Sequence, residues 1–131
     1  MTMKNTLYLV ALVVSLLFLV SCDSDNSRDE KSMNINPNDV RQITVSTQTN
    51  EQKQDTIVEN EKVDDLIKKL NSYSIRETKA EKEKGWQYFF KIERKENEVI
   101  LISFMEERVT IDETVYEVEN YNSNDFSYLF K

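Results

Sequence analysis

Histidine is absent from the 131-residue sequence, and glycine, proline and cysteine occur once each. Without histidine the chain lacks the most common general base, the most common zinc ligand and the usual pH switch. A single glycine, Gly85, is too few for a glycine-rich phosphate loop or a dinucleotide-binding motif. With Cys22 as the only cysteine, no intramolecular disulfide can form, so the folded domain must be stabilised by its core.

The longest apolar run lies near the amino terminus. One basic residue, Lys4, precedes an apolar stretch over residues 7–20 that only Ser15 interrupts. The stretch has the length of a signal-peptide core and is shorter than the roughly 20 residues that span a bilayer. It ends in the sequence Leu19-Val20-Ser21-Cys22. This arrangement predicts a targeting segment at residues 1–21 rather than part of a folded domain.

The Leu-Val-Ser-Cys ending resembles the lipobox at which bacterial lipoprotein precursors are modified and cut. The resemblance implies cleavage between Ser21 and Cys22 and a diacylglyceryl thioether on the Cys22 sulfur, with optional acylation of the new amino terminus. Two acyl chains form a stable anchor because each buried methylene contributes about 0.8 kcal/mol to membrane binding. We therefore expect a mature protein anchored to the cell membrane, on its extracytoplasmic face.

Two other interpretations of the same segment stay open. An uncleaved transmembrane helix would retain the apolar run, and Cys22 would then be incidental. A soluble secreted protein is less favoured, because Leu19 lies where a conventional cleavage site has a small residue. The frequent use of Lys, Asn, Glu and Ile suggests a low-GC Gram-positive source.

Acidic residues outnumber basic ones by 24 to 17. Because Lys4 is the only charged residue within residues 1–21, the cleaved chain has 16 basic residues and a formal charge of −8. That sign argues against a nucleic-acid partner and against electrostatic docking on anionic lipid. The membrane contact that we expect is therefore the lipid anchor itself.

The mature chain divides into a tether and one domain. Residues 22–39 are predicted to be the lipidated amino terminus and a flexible tether, because polar residues dominate and Met33 and Ile35 are isolated. Residues 40–131 are predicted to form one small extracytoplasmic domain. A length of about 90 residues is enough for one core.

One segment of this domain has clear helical periodicity. Asn60 is suited to cap an amino end, and apolar residues follow it at positions i, i+3, i+4 and i+7. They are Val63, Leu66, Ile67 and Leu70. The pattern predicts an amphipathic helix over residues 60–71, with these four residues on its buried side.

Most of the remaining apolar residues lie in segments with strand character. These segments are residues 42–47, 55–58, 86–92, 99–104, 108–111 and 114–118. The alternation in the third segment places Trp86 on the same face as Tyr88 and Phe90. The 99–104 segment is apolar on both faces, which is typical of a central strand. A short terminal helix is predicted over Asp125 to Lys131.

The sequence therefore predicts the α+β class, with a small antiparallel sheet of about five to six strands. One amphipathic helix should cover one face of the sheet, and a short carboxy-terminal helix should follow. Together with the lipobox, this order resembles small lipoproteins of unassigned function from Bacillus-type bacteria. The resemblance implies a fold and a location, and it implies no activity.

Few residues are suited to catalysis. The acidic pairs Glu106-Glu107 and Asp112-Glu113 are predicted to lie in turns, where exposed carboxylates keep ordinary acidity and are poor general acids near neutral pH. No Ser-x-x-Lys motif occurs after Cys22. We expect a non-enzymatic protein without cofactor or metal.

Aromatic residues are concentrated in the last third of the chain. Most should form the core, but one helical stripe is too narrow to cover both faces of the predicted sheet. An uncovered apolar patch would mark a binding site. The leading hypothesis is a surface module that contacts another envelope protein. The alternative is a small-ligand-binding or cell-envelope accessory lipoprotein, which requires a concave pocket.

Overall fold

The computed structural model describes residues 30–49 and 52–130. They form one open, antiparallel, seven-stranded sheet with the order β2-β1-β4-β5-β6-β7-β3. The strands are β1 (Val40–Thr49), β2 (Gln52–Ile57), β3 (Ser74–Glu77), β4 (Tyr88–Arg94), β5 (Val99–Met105), β6 (Arg108–Ile111) and β7 (Thr114–Glu119). One helix, α1 (Asn60–Ser72), and two short 3-10 turns, Pro37–Asp39 and Ser127–Phe130, complete the described elements.

The predicted α+β domain with an antiparallel sheet is confirmed, but the number of strands was underestimated. The additional strand is β3, which pairs with β7 at the edge of the sheet. Its four residues include one apolar side chain, Ile75, which is fully buried. Such a short segment has no readable alternation, so only its pairing with β7 identifies it as a strand.

The helix lies close to its predicted position. Leu66, Ile67 and Leu70 are buried as expected, and Val63 is half-buried at the edge of the stripe. The predicted Asn60 cap is wrong, because Glu59 is the capping residue and its side chain makes no capping hydrogen bond. Packing of the apolar stripe, rather than a cap, therefore holds this end of α1.

The predicted terminal helix is also shorter than expected. A 3-10 turn over Ser127–Phe130 replaces the helix predicted over Asp125 to Lys131, and Lys131 lies outside the described residues. The apolar spacing of this segment predicts that Phe126, Leu129 and Phe130 face inward. Phe126 and Leu129 are buried, and Phe130 is half-buried. The aromatic and aliphatic side chains close the core without needing a full helical turn of hydrogen bonds.

The core lies between the sheet and α1. Alternate residues of the adjacent strands β1, β4 and β5 supply six of its fully buried side chains, which are Ile43, Val45, Phe90, Ile92, Ile102 and Phe104. Strand β5 occupies the fourth of seven positions, so the central strand predicted from its two apolar faces is confirmed. The opposite side chains of these strands form the second face of the sheet.

The chain is already attached to the domain before β1. Lys31 and Ile75 exchange two backbone hydrogen bonds, of 2.9 and 2.8 Å. The Asn71 side chain accepts from the Ile35 N–H and donates to the Ile35 carbonyl, each at 2.8 Å. Ile35 is 8% exposed. The described part of the predicted tether, residues 30–39, therefore packs on α1 and β3.

The predicted signal peptide, Ser21, Cys22 and the tether up to residue 29 lie outside the described residues. Across the residues that the structure describes, no helix combines the length and the apolarity needed to cross a bilayer. The anchor at Cys22 stays a prediction from the sequence.

Candidate functional site

The two faces of the sheet have different environments. Helix α1 and the carboxy-terminal turn pack on one face, and no described helix covers the other, which we call the open face. Its apolar side chains include Val99 and Leu101 of β5, which are 43% and 41% exposed. Phe89 of β4 is half-buried on the same face. The uncovered apolar surface that the sequence suggested is therefore present on the central strands.

Trp86 belongs to this open face, which corrects the prediction that it shares the core face with Tyr88. The Gln87 side chain accepts a 2.8 Å hydrogen bond from the Tyr121 hydroxyl, and Tyr88 packs on Phe126, so both point towards the core side. Because the successive residues Gln87 and Tyr88 both lie on the core side, the alternation of side chains before Tyr88 is shifted by one residue, and Trp86 lies on the open face. Trp86 instead contacts Phe89, with 5.6 Å between the ring centroids.

The loop over residues 78–87 holds Trp86 in this position. The Thr78 N–H donates to the Val115 carbonyl at 3.0 Å, and Glu83 pairs with Arg108 at 2.8 Å. Gly85 has φ +85°, a conformation that favours glycine, immediately before Trp86. The single glycine of the chain thus makes the turn that places the indole on the open face.

A groove of about 370 Å³ lies beside the two aromatic rings. It is lined by Thr44, Ser46, Lys53, Asp55, Trp86, Phe89 and Lys91. The register of the strands explains the set, because Phe89 is opposite Ser46 and Lys91 is opposite Thr44. The groove therefore combines an aromatic wall, made by Trp86 and Phe89, with hydroxyl and charged groups from the adjacent strands β2, β1 and β4.

The two lysines of the groove differ in their surroundings. Lys53 lies 3.9 Å from the Asp55 carboxylate on the same strand. Lys91 is exposed and forms no ion pair with any residue of the described chain. Its neighbour on β5 is Leu101, and its neighbour on β1 is Thr44. The ammonium group therefore lies between an apolar side chain and a hydroxyl. Within the groove, Lys91 is therefore a charged group that is available to a partner.

A larger recess of about 440 Å³ lies at the other end of the sheet, between β3 and β7. Its two arginines are already neutralised, since Arg76 pairs with Glu117 at 2.9 Å and Arg108 pairs with Glu83. Carboxylates form much of the remaining lining. Because its cations are engaged and its rim is acidic, this recess is a weaker candidate than the groove beside Trp86.

The acidic pairs singled out in the sequence do not form a site. Glu106-Glu107 is the β5–β6 turn and Asp112-Glu113 is the β6–β7 turn, so the pairs lie at opposite ends of β6. All four side chains are exposed. The Asp112 carboxylate accepts the Leu101 N–H at 3.0 Å, which is a structural role. The length of β6 separates the two pairs, so they do not combine into one acidic site.

Three tyrosine hydroxyls are satisfied at the end of the core near the terminal turn. Tyr73 donates to the Asp125 carboxylate at 2.7 Å, and Tyr88 donates to the Ser123 carbonyl at 2.8 Å. Burial raises the pKa of Tyr73 far above its ordinary value, and the bond to Asp125 raises it further. Burial likewise raises the pKa of Tyr88 and of Tyr121. These phenols are kept neutral and bonded, which indicates a structural role.

The raised tyrosine pKa values predict a loss of stability at alkaline pH. The folded state holds these protons more tightly than the unfolded state, so their stabilisation is complete below about pH 10 and decreases above it. Each tyrosine that stays protonated only when folded contributes a slope of up to about 1.4 kcal/mol per pH unit. Urea unfolding at pH 8, 10 and 11 measures the slope. The Tyr73→Phe/Tyr121→Phe variant should show a shallower slope, and an equally steep one would contradict the prediction.

Neither a metal site among the described residues nor a similar protein indicates what the open face binds. Within residues 30–49 and 52–130, no group of three or more His, Cys, Asp or Glu residues is arranged to hold a metal ion. The chain matches no protein-family model, no curated protein and no solved structure. The function is therefore inferred from the groups on the open face.

Proposed function

We propose that this chain is a membrane-anchored bacterial lipoprotein whose domain binds another cell-envelope protein through the open face, without catalysing a reaction. The observation that carries the proposal is the uncovered sheet face, with Trp86 and Phe89 half-buried and Val99 and Leu101 exposed beside them. Aromatic residues are enriched at the centres of protein interfaces because they bury large apolar areas. The separated acidic pairs support a non-catalytic role.

The short tether supports a partner close to the membrane. The domain is attached from Lys31 onward, which leaves eight residues between it and the proposed lipid on Cys22. A chain of that length reaches at most about 30 Å when fully extended. We therefore expect the partner to be a membrane protein or a protein held near the outer surface of the same membrane.

The alternative hypothesis is a small-ligand-binding or envelope accessory lipoprotein. Its support is the groove beside Trp86, whose volume of about 370 Å³ is within the range of ligand sites. The groove is open along the sheet and has charged groups on its rim, whereas ligand pockets usually enclose most of the ligand surface. The partner-binding hypothesis agrees better with this shape.

In-cell photocrosslinking tests the proposal. A photoreactive residue at position 101 on the open face should give a specific adduct with one envelope protein, and the same residue at position 62 on the solvent side of α1 should not. Trp86→Ala in the position-101 protein should reduce the adduct about tenfold or more, because central aromatic residues contribute about 2 kcal/mol or more to binding. The adduct is identified by mass spectrometry.

The thermal melt distinguishes lost binding from lost folding. Trp86 lies outside the core cluster, so Trp86→Ala should change the melting temperature by only a few degrees. Equal adducts from positions 62 and 101, or an adduct that survives Trp86→Ala, would contradict the proposal. Absence of any adduct, with a metabolite that raises the melting temperature of the full-length protein, would favour the ligand-binding alternative.

A further inference from the structure

We infer that the partner presents to the open face an extended segment with an apolar side chain next to a carboxylate. The inference rests on the proposed function and specifies its partner. The groove has two lysines and one aspartate, a local charge opposite to that of the mature chain, which is −8. A positive groove on an otherwise negative protein attracts anionic groups to that place on its surface. The charge pattern therefore indicates that the bound segment has a negative charge.

The positions of the groups define the geometry of recognition. Lys91 lies two residues beyond Phe89 on β4, and both side chains point to the open face. Two residues of a strand span about 7 Å. An apolar side chain on the Trp86–Phe89 pair would therefore place a carboxylate two positions further along an extended segment beside the Lys91 ammonium. The Thr44 hydroxyl, opposite Lys91, is available to the same carboxylate.

The neighbouring surface favours a peptide over an anionic wall polymer. On the neighbouring strand β5, Leu101 lies opposite Lys91 and Val99 lies opposite Glu93, and both aliphatic side chains are exposed. Sugar hydroxyls placed against these aliphatic groups would lose hydrogen bonds to water without replacement, whereas apolar side chains would gain from burial. A polyanion also gains affinity from many cations. The groove offers one unpaired lysine within the described chain, which suits a single carboxylate.

Selection from a random ten-residue peptide display library, with the full-length protein purified in detergent, tests the inference. The wild-type protein should enrich peptides with Asp or Glu within two positions of Phe, Trp or Leu. Lys91→Arg should keep that preference. Lys91→Glu should weaken the selected acidic peptides about tenfold and should enrich peptides with Lys or Arg in place of the acid. Lys62→Glu makes the same change of net charge on α1 and should leave the selection unchanged.

Several results would overturn the inference. The inference fails if the wild-type protein enriches neutral or basic peptides, or if it enriches no peptide at all. It also fails if Lys91→Glu enriches the same peptides as the wild type. If the protein retains purified anionic wall polymer and selects no peptide, the partner is a polymer and not a peptide. If Trp86→Ala abolishes the crosslink to an envelope protein and Lys91→Glu does not affect it, the proposed function stands and the inference about the carboxylate fails.

Discussion

Replacing Phe104 by alanine is expected to lower the free energy of unfolding by about 3–5 kcal/mol. The ring is fully buried and lies 4.7 Å from the Tyr121 ring centroid and 5.5 Å from those of Tyr73 and Phe126. Truncation removes the transfer free energy of the ring and leaves a cavity among these three aromatic side chains. Because a small domain has only about 5–15 kcal/mol of stability, the variant should be close to unfolding. Urea denaturation measures the change.

Leu101→Ala is the matched control for this prediction. Leu101 lies on the same strand, three residues away and on the open face, with 41% of its surface exposed. Its truncation should change the free energy of unfolding by less than about 1 kcal/mol. Similar losses for the two variants would mean that the open face is covered in solution, for example by a second copy of the chain.

Cys22→Ala is expected to abolish the membrane attachment of the protein. The cysteine sulfur is the proposed acceptor of the diacylglyceryl group, and without it neither lipidation nor cleavage after Ser21 can proceed. Cell fractionation followed by immunoblotting should show the protein released, or retained only as a larger uncleaved precursor. The expected effect is close to complete, because no other cysteine occurs in the chain.

Ser24→Ala controls for the substitution itself. Ser24 lies two residues after Cys22 and takes no part in the thioether. The variant should be processed and retained in the membrane fraction like the wild type. Normal processing and membrane retention of Cys22→Ala would refute the lipid anchor and would favour an uncleaved transmembrane segment.

Features that depend on neighbours in the sequence were predicted well. The α1 stripe, the apolar central strand β5 and the turns at Glu106-Glu107 and Asp112-Glu113 all lie where the pattern placed them. Helical and strand periodicities repeat within a few residues, so a single segment contains the whole signal. The Asn60 cap failed because capping depends on one hydrogen bond, whose formation packing can override.

Features that depend on distant pairing were missed. Strand β3 exists because four residues after α1 pair with residues of β7 that lie 39 to 45 positions later. Residues 30–39 were predicted to be a polar tether. The Asn71 side chain nevertheless bonds to the Ile35 backbone, and the Ile75 backbone bonds to the Lys31 backbone. These contacts use backbone N–H and C=O groups of the tether, which almost every residue type has. The amino-acid composition of the tether therefore does not predict them.

The candidate site shows the same division. The sequence by itself determined the predicted lipid anchor, the absence of histidine chemistry and the excess of aromatic residues over what one helical stripe can cover. Only the tertiary structure decided which aromatic residues are uncovered, because an irregularity at Gln87 moves Trp86 to the open face. It also decided that Lys91 lies between Thr44 and Leu101, since the register of antiparallel strands brings together residues that are far apart in the chain.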